Sequence, residues 1–168
     1  VDGLERIVVD GGSTDQTRTI AAERGATVLR SRCGRALQQN VGALAATGDV
    51  LWFLHADVRI PPGAVNAITL ALTDPGVVGG AFRTTTIAER PTRLAPVLPI
   101  ADVRASYTRL PYGDQGIFVR RAAFEAVGGF PLQPIFEDLE LARRLWRIGR
   151  LVVLPQKVSV SARRFLAR

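Results

Sequence analysis

A chain of 168 residues, 47% of them hydrophobic, has the length of one domain and enough apolar side chains for a core, which excludes a disordered tail. The net charge of +7 is almost all arginine, with Lys157 the one lysine, and Arg143, Arg144, Arg147 and Arg150 form its only cluster, which fits an anionic ligand and excludes a dedicated nucleic-acid binder. No apolar run approaches the roughly 20 residues of a bilayer span, and the single cysteine, Cys33, excludes an internal disulfide and points to a reducing, cytoplasmic compartment.

In chain order, Leu4 to Val9 predicts a buried strand, broken by Asp10-Gly11-Gly12-Ser13-Thr14-Asp15. Ser13 with Gln16 forms a capping box, so a helix is expected from there to about Arg24, stopped by Gly25. Ala26 to Leu29 is a short strand, and Leu37, Val41, Leu44 and Ala45 give Gly34 to Thr47 a helical period. Leu51 to Leu54 reads as a central, buried parallel strand, after which polar residues return at His55 and Asp57. Ala64 to Leu72 is a helix closed by Asp74-Pro75-Gly76. This alternation predicts an α/β fold with a mostly parallel sheet flanked by helices.

The second half is less regular. Val77 to Thr86 predicts a strand with a bend or bulge at Gly79-Gly80. Pro91, Pro96 and Pro99 forbid one straight helix over Arg90 to Tyr107. Gly113 to Gly116 is a loop, Ile117 to Val119 a strand, and Arg121 to Val127 a short helix. Phe136-Glu137-Asp138 opens a helix that runs to Ile148, and Leu151 to Leu154 and Val158 to Val160 are strands. Trp52 and Trp146 read as core. The chain carries no methionine and its first residues run straight into a strand, so a first strand-helix unit is expected to be missing from this piece, with a longer protein or a second copy covering the sheet edge.

The chemistry left to such a chain is narrow. It has neither a G-x-x-x-x-G-K nor a G-x-G-x-x-G phosphate loop, and one histidine cannot build a multi-histidine zinc site. Carboxylates remain at the strand ends: Asp10, Asp15, Asp57, Asp114, Glu137 and Asp138. In open α/β sheets ligands bind beyond the carboxyl ends of the strands. Oxygen ligands there suit Mg²⁺ or Mn²⁺ shared with phosphate.

The series Val8 to Asp15, Asn40-Val41-Gly42-Ala43 before Gly48-Asp49, Phe53 to Asp57 with Pro61-Pro62-Gly63, and Phe136-Glu137-Asp138 resembles the family 2 glycosyltransferases of GT-A fold in order and spacing across nearly the whole chain. Gly113 to Arg121, with Ser161 to Phe165, resembles a bacterial subgroup labelled arsenosugar-biosynthesis-like. The resemblance implies one glycosyltransferase domain over residues 1–168, with a nucleotide-binding half to about 75 and an acceptor half beyond. It implies a nucleotide-diphospho-sugar donor, a hydroxyl acceptor and a divalent cation. The metal motif reads His55-Ala56-Asp57: Asp57 keeps a ligand position and His55 stands in place of an acid. Asp10 and Gly11 match the base-contacting pair, lacking its second acid, while Asp15, Arg35, Arg163 and Arg164 are nucleotide or phosphate contacts. Asp138 matches the general base with Glu137 beside it, and Asp114 and Gln115 fall where the acceptor binds. Such a site inverts the anomeric centre, because one base works without a second nucleophile. It requires the acids at 57 and 138 to face one cleft.

Two other readings stand beside this one. A nucleotidyltransferase of related α/β fold would release pyrophosphate from a nucleoside triphosphate. A non-catalytic anion-binding module would bind polymers or a membrane surface and let go at moderate salt. Peripheral association with the inner membrane face and self-association into a homo-oligomer are further partner expectations.

Overall fold

A computed structural model describes residues 3–87 and 111–161. The expectations for Arg90 to Tyr107, Arg163 and Arg164 lie outside the described residues. The elements are β1 (Ile7–Asp10), α1 (Thr17–Glu23), β2 (Thr27–Arg30), α2 (Arg35–Ala45), β3 (Val50–Trp52), β4 (Val58–Arg59), α3 (Ala64–Ala71) and β5 (Val77–Ile87). A single 3-10 turn (Gly113–Gln115) follows, then β6 (Phe118–Arg120), α4 (Arg121–Ala126), α5 (Glu137–Trp146) and β7 (Arg150–Ser161).

The architecture is α/β with helices against a mixed sheet. β1 and β2 pair in parallel. The other strands form a five-stranded sheet in the order β3-β6-β5-β7-β4. Within it only β5 and β7 run parallel; β6 lies antiparallel between β3 and β5, and β4 antiparallel to β7. The run at Leu51 was expected to be a central parallel strand. It instead stands at one end of this order and pairs antiparallel with β6.

Alternation along the strands feeds a core on each face of the sheet. Leu51 and Val119 join Ala36, Ala43, Phe124, Phe130, Leu141 and Leu145, contributed by α2, α4, α5 and the loop between the last two. The adjacent residues Trp52 and Phe118 turn to the other face, with Phe82, Leu154, Val158 and the α3 residues Ala64 and Ile68. The apolar stripe of α5 is thus Leu141 and Leu145, and Trp146, expected in the core, is 57% exposed.

Two local expectations are corrected. The proposed Ser13–Gln16 capping box does not form. The Ser13 N–H is taken by Asp10, α1 starts at Thr17, and Asp15 accepts from the Thr17 N–H at 3.0 Å and hydroxyl at 2.5 Å. The two strands expected at Leu151 and Val158 are one strand, β7. Phe82 pairs with Leu154 while the next residue, Arg83, pairs with Lys157, so Pro155-Gln156 bulges out of an otherwise continuous ladder. No helix among the described residues is long and apolar enough to cross a membrane.

Candidate active site

The site is built on three chain reversals: the turn after β1, the loop after β3, and the 3-10 turn against the start of α5. At the end of β1, Asp10 is 4% exposed, and its carboxylate gathers the N–H groups of Gly12 at 3.3 Å and Ser13 at 3.1 Å. Arg18 lies 3.8 Å away. The hydrogen bonds from Ser13, then that from Gly12 and the Arg18 charge, hold the Asp10 carboxyl below the usual carboxylate range against the cost of desolvation. Asp15 is likewise lowered, by its bonds from Thr17. Gly11 is placed by contact, since a β-carbon there would lie 3.0 Å from Gln38 Nε2. That amide is fixed: Nε2 donates to Val9 O at 2.9 Å and Oε1 accepts from the Gly34 N–H at 3.3 Å. Gln38 therefore locks the β1 turn to the start of α2.

From α2 two side chains reach the segment that carries the second acid pair. Arg35 Nε lies 2.9 Å from Glu137 Oε1 and its Nη2 3.4 Å from Oε2, a forked pair. Glu137 is 2% exposed and Arg35 47%. Asn40 clamps the Phe130 backbone, donating to its carbonyl at 2.8 Å and accepting from its N–H at 2.9 Å. Both contacts fix the approach to α5. Phe136, the cap before α5, takes φ 62°, the one non-glycine residue with positive φ among those described.

Asp138 follows immediately. Its Oδ2 accepts from the Gly113 N–H at 2.6 Å and its Oδ1 from the Leu139 N–H at 2.7 Å. Gly113 also meets His55, whose Nε2 would be 2.8 Å from a β-carbon on that residue. Asp114, next in the turn, senses the charges of His55, Asp138 and Asp57. Asp114 is exposed, but crowding on the side facing the turn raises its carboxyl above its ordinary value; His55 opposes that shift, and Asp138 and Asp57 add to it. His55 and Asp138 thus meet at Gly113 with Asp114 next in the turn, while Asp57, two residues from His55, is close enough for its charge to act on Asp114; Asp57 and Asp138 are both half-buried.

Gln115 stands apart from that group. It is fully buried, and its amide accepts from the Tyr112 N–H at 2.7 Å and donates to Phe82 O at 3.1 Å. Those bonds set the turn's position against β5. Sequence reasoning did not single out Gln38 or Gly113. Gln38 carried a faint signal, one of three consecutive amides in an otherwise apolar helix; Gly113 carried none, because its role lies in a tertiary approach.

Among the described residues no three His, Cys, Asp or Glu side chains are grouped to hold a metal ion by themselves. The Asp57 carboxylate alone fits Mg²⁺ or Mn²⁺ when substrate phosphates complete the shell, and an imidazole from His55 as a further ligand suits a transition metal better than Mg²⁺.

An α/β domain that gathers its acids from the end of β1, the loop after β3, the 3-10 turn and the start of α5 has here the GT-A fold of glycosyltransferases. Residues 2–128 match the model of glycosyl transferase family 2, and the chain belongs to that family. Among solved structures, the mannosyltransferase PcManGT from Pyrobaculum calidifontis, in complex with GDP-Man and Mn²⁺, is 24% identical with a TM-score of 0.72; the alignment covers 94% of this chain and 48% of that one. TarS 1-349 from S. aureus, in complex with UDP-GlcNAc, is 20% identical with a TM-score of 0.70, over 94% and 49% of the two chains. GalNAc-T7 with UDP, GalNAc and Mn²⁺ gives 17% and 0.68, over 94% and 37%. This chain therefore spans about half the length of the first two structures. No curated protein sequence matches it.

Proposed function

We propose that this chain carries the donor site and catalytic base of an inverting glycosyltransferase, which moves a sugar from a nucleotide-diphospho-sugar to a hydroxyl acceptor. The observation that carries the reading is that His55 and Asp138 meet at Gly113, with Asp114 next in the turn and Asp57 two residues from His55, in a chain of family 2. Structural neighbours bound to GDP-Man with Mn²⁺ and to UDP-GlcNAc support a donor of the same class.

In this mechanism Asp57, with His55 beside it, would hold the divalent cation. When bound, that cation neutralises charge developing on the departing phosphate oxygens. Asp10, Gly11 and Asp15 contact the nucleoside, and the exposed half of Arg35 reaches its phosphate. Asp138 takes the proton of the acceptor hydroxyl, an effect worth about 10²–10⁴-fold. The two N–H groups that hold its oxygens fix the carboxylate's direction. Glu137 positions Asp138 through Arg35, and Gln115 shapes the acceptor turn on which Asp114 sits. Arg163 and Arg164 are assigned to the donor phosphate by family resemblance alone, and kinship with the arsenosugar-biosynthesis-like subgroup rests on the stretch from Gly113 to Arg121.

The test is nucleoside diphosphate release from GDP-mannose and UDP-N-acetylglucosamine with Mn²⁺, beside melting curves with each diphosphate. Ligands that bind the folded state raise its melting temperature. Asp57→Asn should remove the Mn²⁺-dependent part of that rise, and Asp138→Asn should keep it while losing turnover. Full turnover in both variants refutes the mechanism. Release of pyrophosphate from a nucleoside triphosphate would favour the nucleotidyltransferase instead.

A further inference from the structure

Gly113 lies where three segments meet. Its N–H holds Asp138 Oδ2 at 2.6 Å. A β-carbon on it would sit 2.8 Å from His55 Nε2, 2.9 Å from His55 Cε1 and 3.1 Å from Asp138 Oδ2. All three distances are shorter than ordinary carbon contacts of about 3.5–4.0 Å. The backbone does not demand glycine there, since Gly113 is absent from the residues with positive φ, whereas Gly116 at the other end of the turn has φ 63°. One glycine of the turn is thus required by conformation and the other by proximity alone.

We propose that Gly113 is a positioning residue: its missing side chain lets the imidazole of His55 and the carboxylate of Asp138 close on the same Cα, and so sets the gap between the metal-side loop and the base. This rests on the reading of Asp138 as the base. An added methyl group must displace one of the two. The nearest atoms are those of the His55 ring, and a turn that backs away from the ring to make room carries with it the Gly113 N–H that holds Asp138 Oδ2, so the relief of that contact costs the carboxylate its alignment. Small misplacements of a reacting group cost about 10²-fold in rate.

The experiment compares wild type, Gly113→Ala, His55→Ala and the double variant in a double-mutant cycle. Two readouts are used: nucleoside diphosphate release from GDP-mannose and UDP-N-acetylglucosamine with Mn²⁺, and urea unfolding midpoints, which need no activity. Gly113→Ala should lower kcat at least about 10-fold while the donor KM stays within about 2-fold, the signature of a lost transition-state interaction. Its effect on the unfolding midpoint should shrink by at least about half in the His55→Ala background. If Gly113→Ala does not fold, the double variant should, because the truncated histidine leaves room. Unchanged kcat, a rise in donor KM equal to the fall in kcat, equal midpoint shifts in both backgrounds, or a double variant that also fails to fold each overturns the proposal. A wild-type chain that releases nucleotide from no donor overturns the glycosyltransferase reading itself and this proposal with it, whereas an active wild type with an indifferent Gly113→Ala overturns this proposal alone.

Discussion

Arg35 and Glu137 should respond unequally to truncation, and the inequality separates a positioning role for Glu137 from a catalytic one. The pair is forked, at 2.9 Å and 3.4 Å, but asymmetric in burial: Glu137 is 2% exposed and Arg35 47%. Breaking a buried pair costs about 3–5 kcal/mol because a charge is stranded, while exposed pairs contribute about 0.2–1 kcal/mol. Arg35→Ala strands the buried carboxylate, and the solvent around Arg35 discounts the cost to about 2–3 kcal/mol. Glu137→Gln leaves an arginine that water can solvate and an amide that still accepts one bond, costing about 1 kcal/mol. For a domain of this size each kcal/mol moves Tm by about 2–4 °C, so Arg35→Ala should melt about 4–12 °C lower and Glu137→Gln about 2–4 °C lower. The double variant should resemble Glu137→Gln, since no charge is stranded. The assay is urea and thermal unfolding of the four proteins, with kcat and KM for donor turnover measured on each. Arg35→Ala as mild as an ordinary surface change, or a double variant at the sum of the singles, refutes the burial argument. A loss in kcat beyond about 100-fold in Glu137→Gln, at unchanged KM, refutes the positioning role.

Four more outcomes can be measured. The Asp10 carboxyl is lowered by its Ser13 and Gly12 bonds, so its contribution to stability is full above the unfolded value of about 3.8 and is lost as pH falls through the folded one; Asp10→Asn should flatten the fall of Tm between about pH 5 and pH 2. Asp114 is exposed, with its carboxyl raised by crowding on its inner side, so its ionised form costs only a little stability at neutral pH; Asp114→Asn should raise Tm at pH 7 slightly and lose that advantage once pH drops below about 3.8, and a variant that melts lower than wild type at pH 7 contradicts the assignment. Gln115→Leu leaves the Tyr112 N–H and Phe82 O without the amide that joins them and should lower stability by about 2–4 kcal/mol, read from the urea midpoint. Phe136→Gly should be more stable than Phe136→Ala by about 1 kcal/mol, because the alanine keeps the φ 62° strain; a more stable alanine variant would mean the backbone is relaxed there.

Local signals were legible wherever local physics decides the outcome. The apolar period from Leu37 to Leu44 located α2, Asp74-Pro75-Gly76 closed α3, and Phe136-Glu137-Asp138 marked the start of α5. They failed where a competing partner won, whether a nearer local one or a tertiary one. Ser13 had the spacing of a cap, but Asp10, withdrawn into the end of β1, took its N–H first. Pro155 lacks a donor and reads as a break, yet the bulge lifts it out of the ladder and β7 continues. The antiparallel insertion of β6 between β3 and β5 joins residues 66 to 70 positions apart on one side and 38 to 40 on the other, which no periodicity records. The candidate site divides in the same way. Its acids were visible as polar residues breaking apolar runs, although only Asp10 ends a strand and Asp114, Glu137 and Asp138 sit in a turn and at a helix start, while Gln38 and Gly113 are defined by what approaches them.

The start of α5 explains why the acid at 138 depends on so much of the chain. No side chain caps that helix in the usual manner, and its cap residue, Phe136, is 56% exposed and held in a left-handed conformation that disfavours a β-carbon. A helix end of this kind is weak on its own terms, so its position must come from elsewhere. Arg35 holds Glu137 from α2, and Gly113 holds Asp138 from the turn, which Gln115 in turn fixes to β5. Asn40 pins Phe130 on the chain leading in. Each of these contacts spans at least 25 residues of sequence, or 33 for the link from Gln115 to Phe82. The carboxylate therefore reaches its place only when both halves of the domain are folded together, and strain at Phe136 persists because those contacts outweigh it. A helix capped by serine or aspartate at that position would be more stable in isolation, but its first turn would follow local geometry, and Asp138 would no longer be aimed by the two elements that bring it to His55 and Asp57.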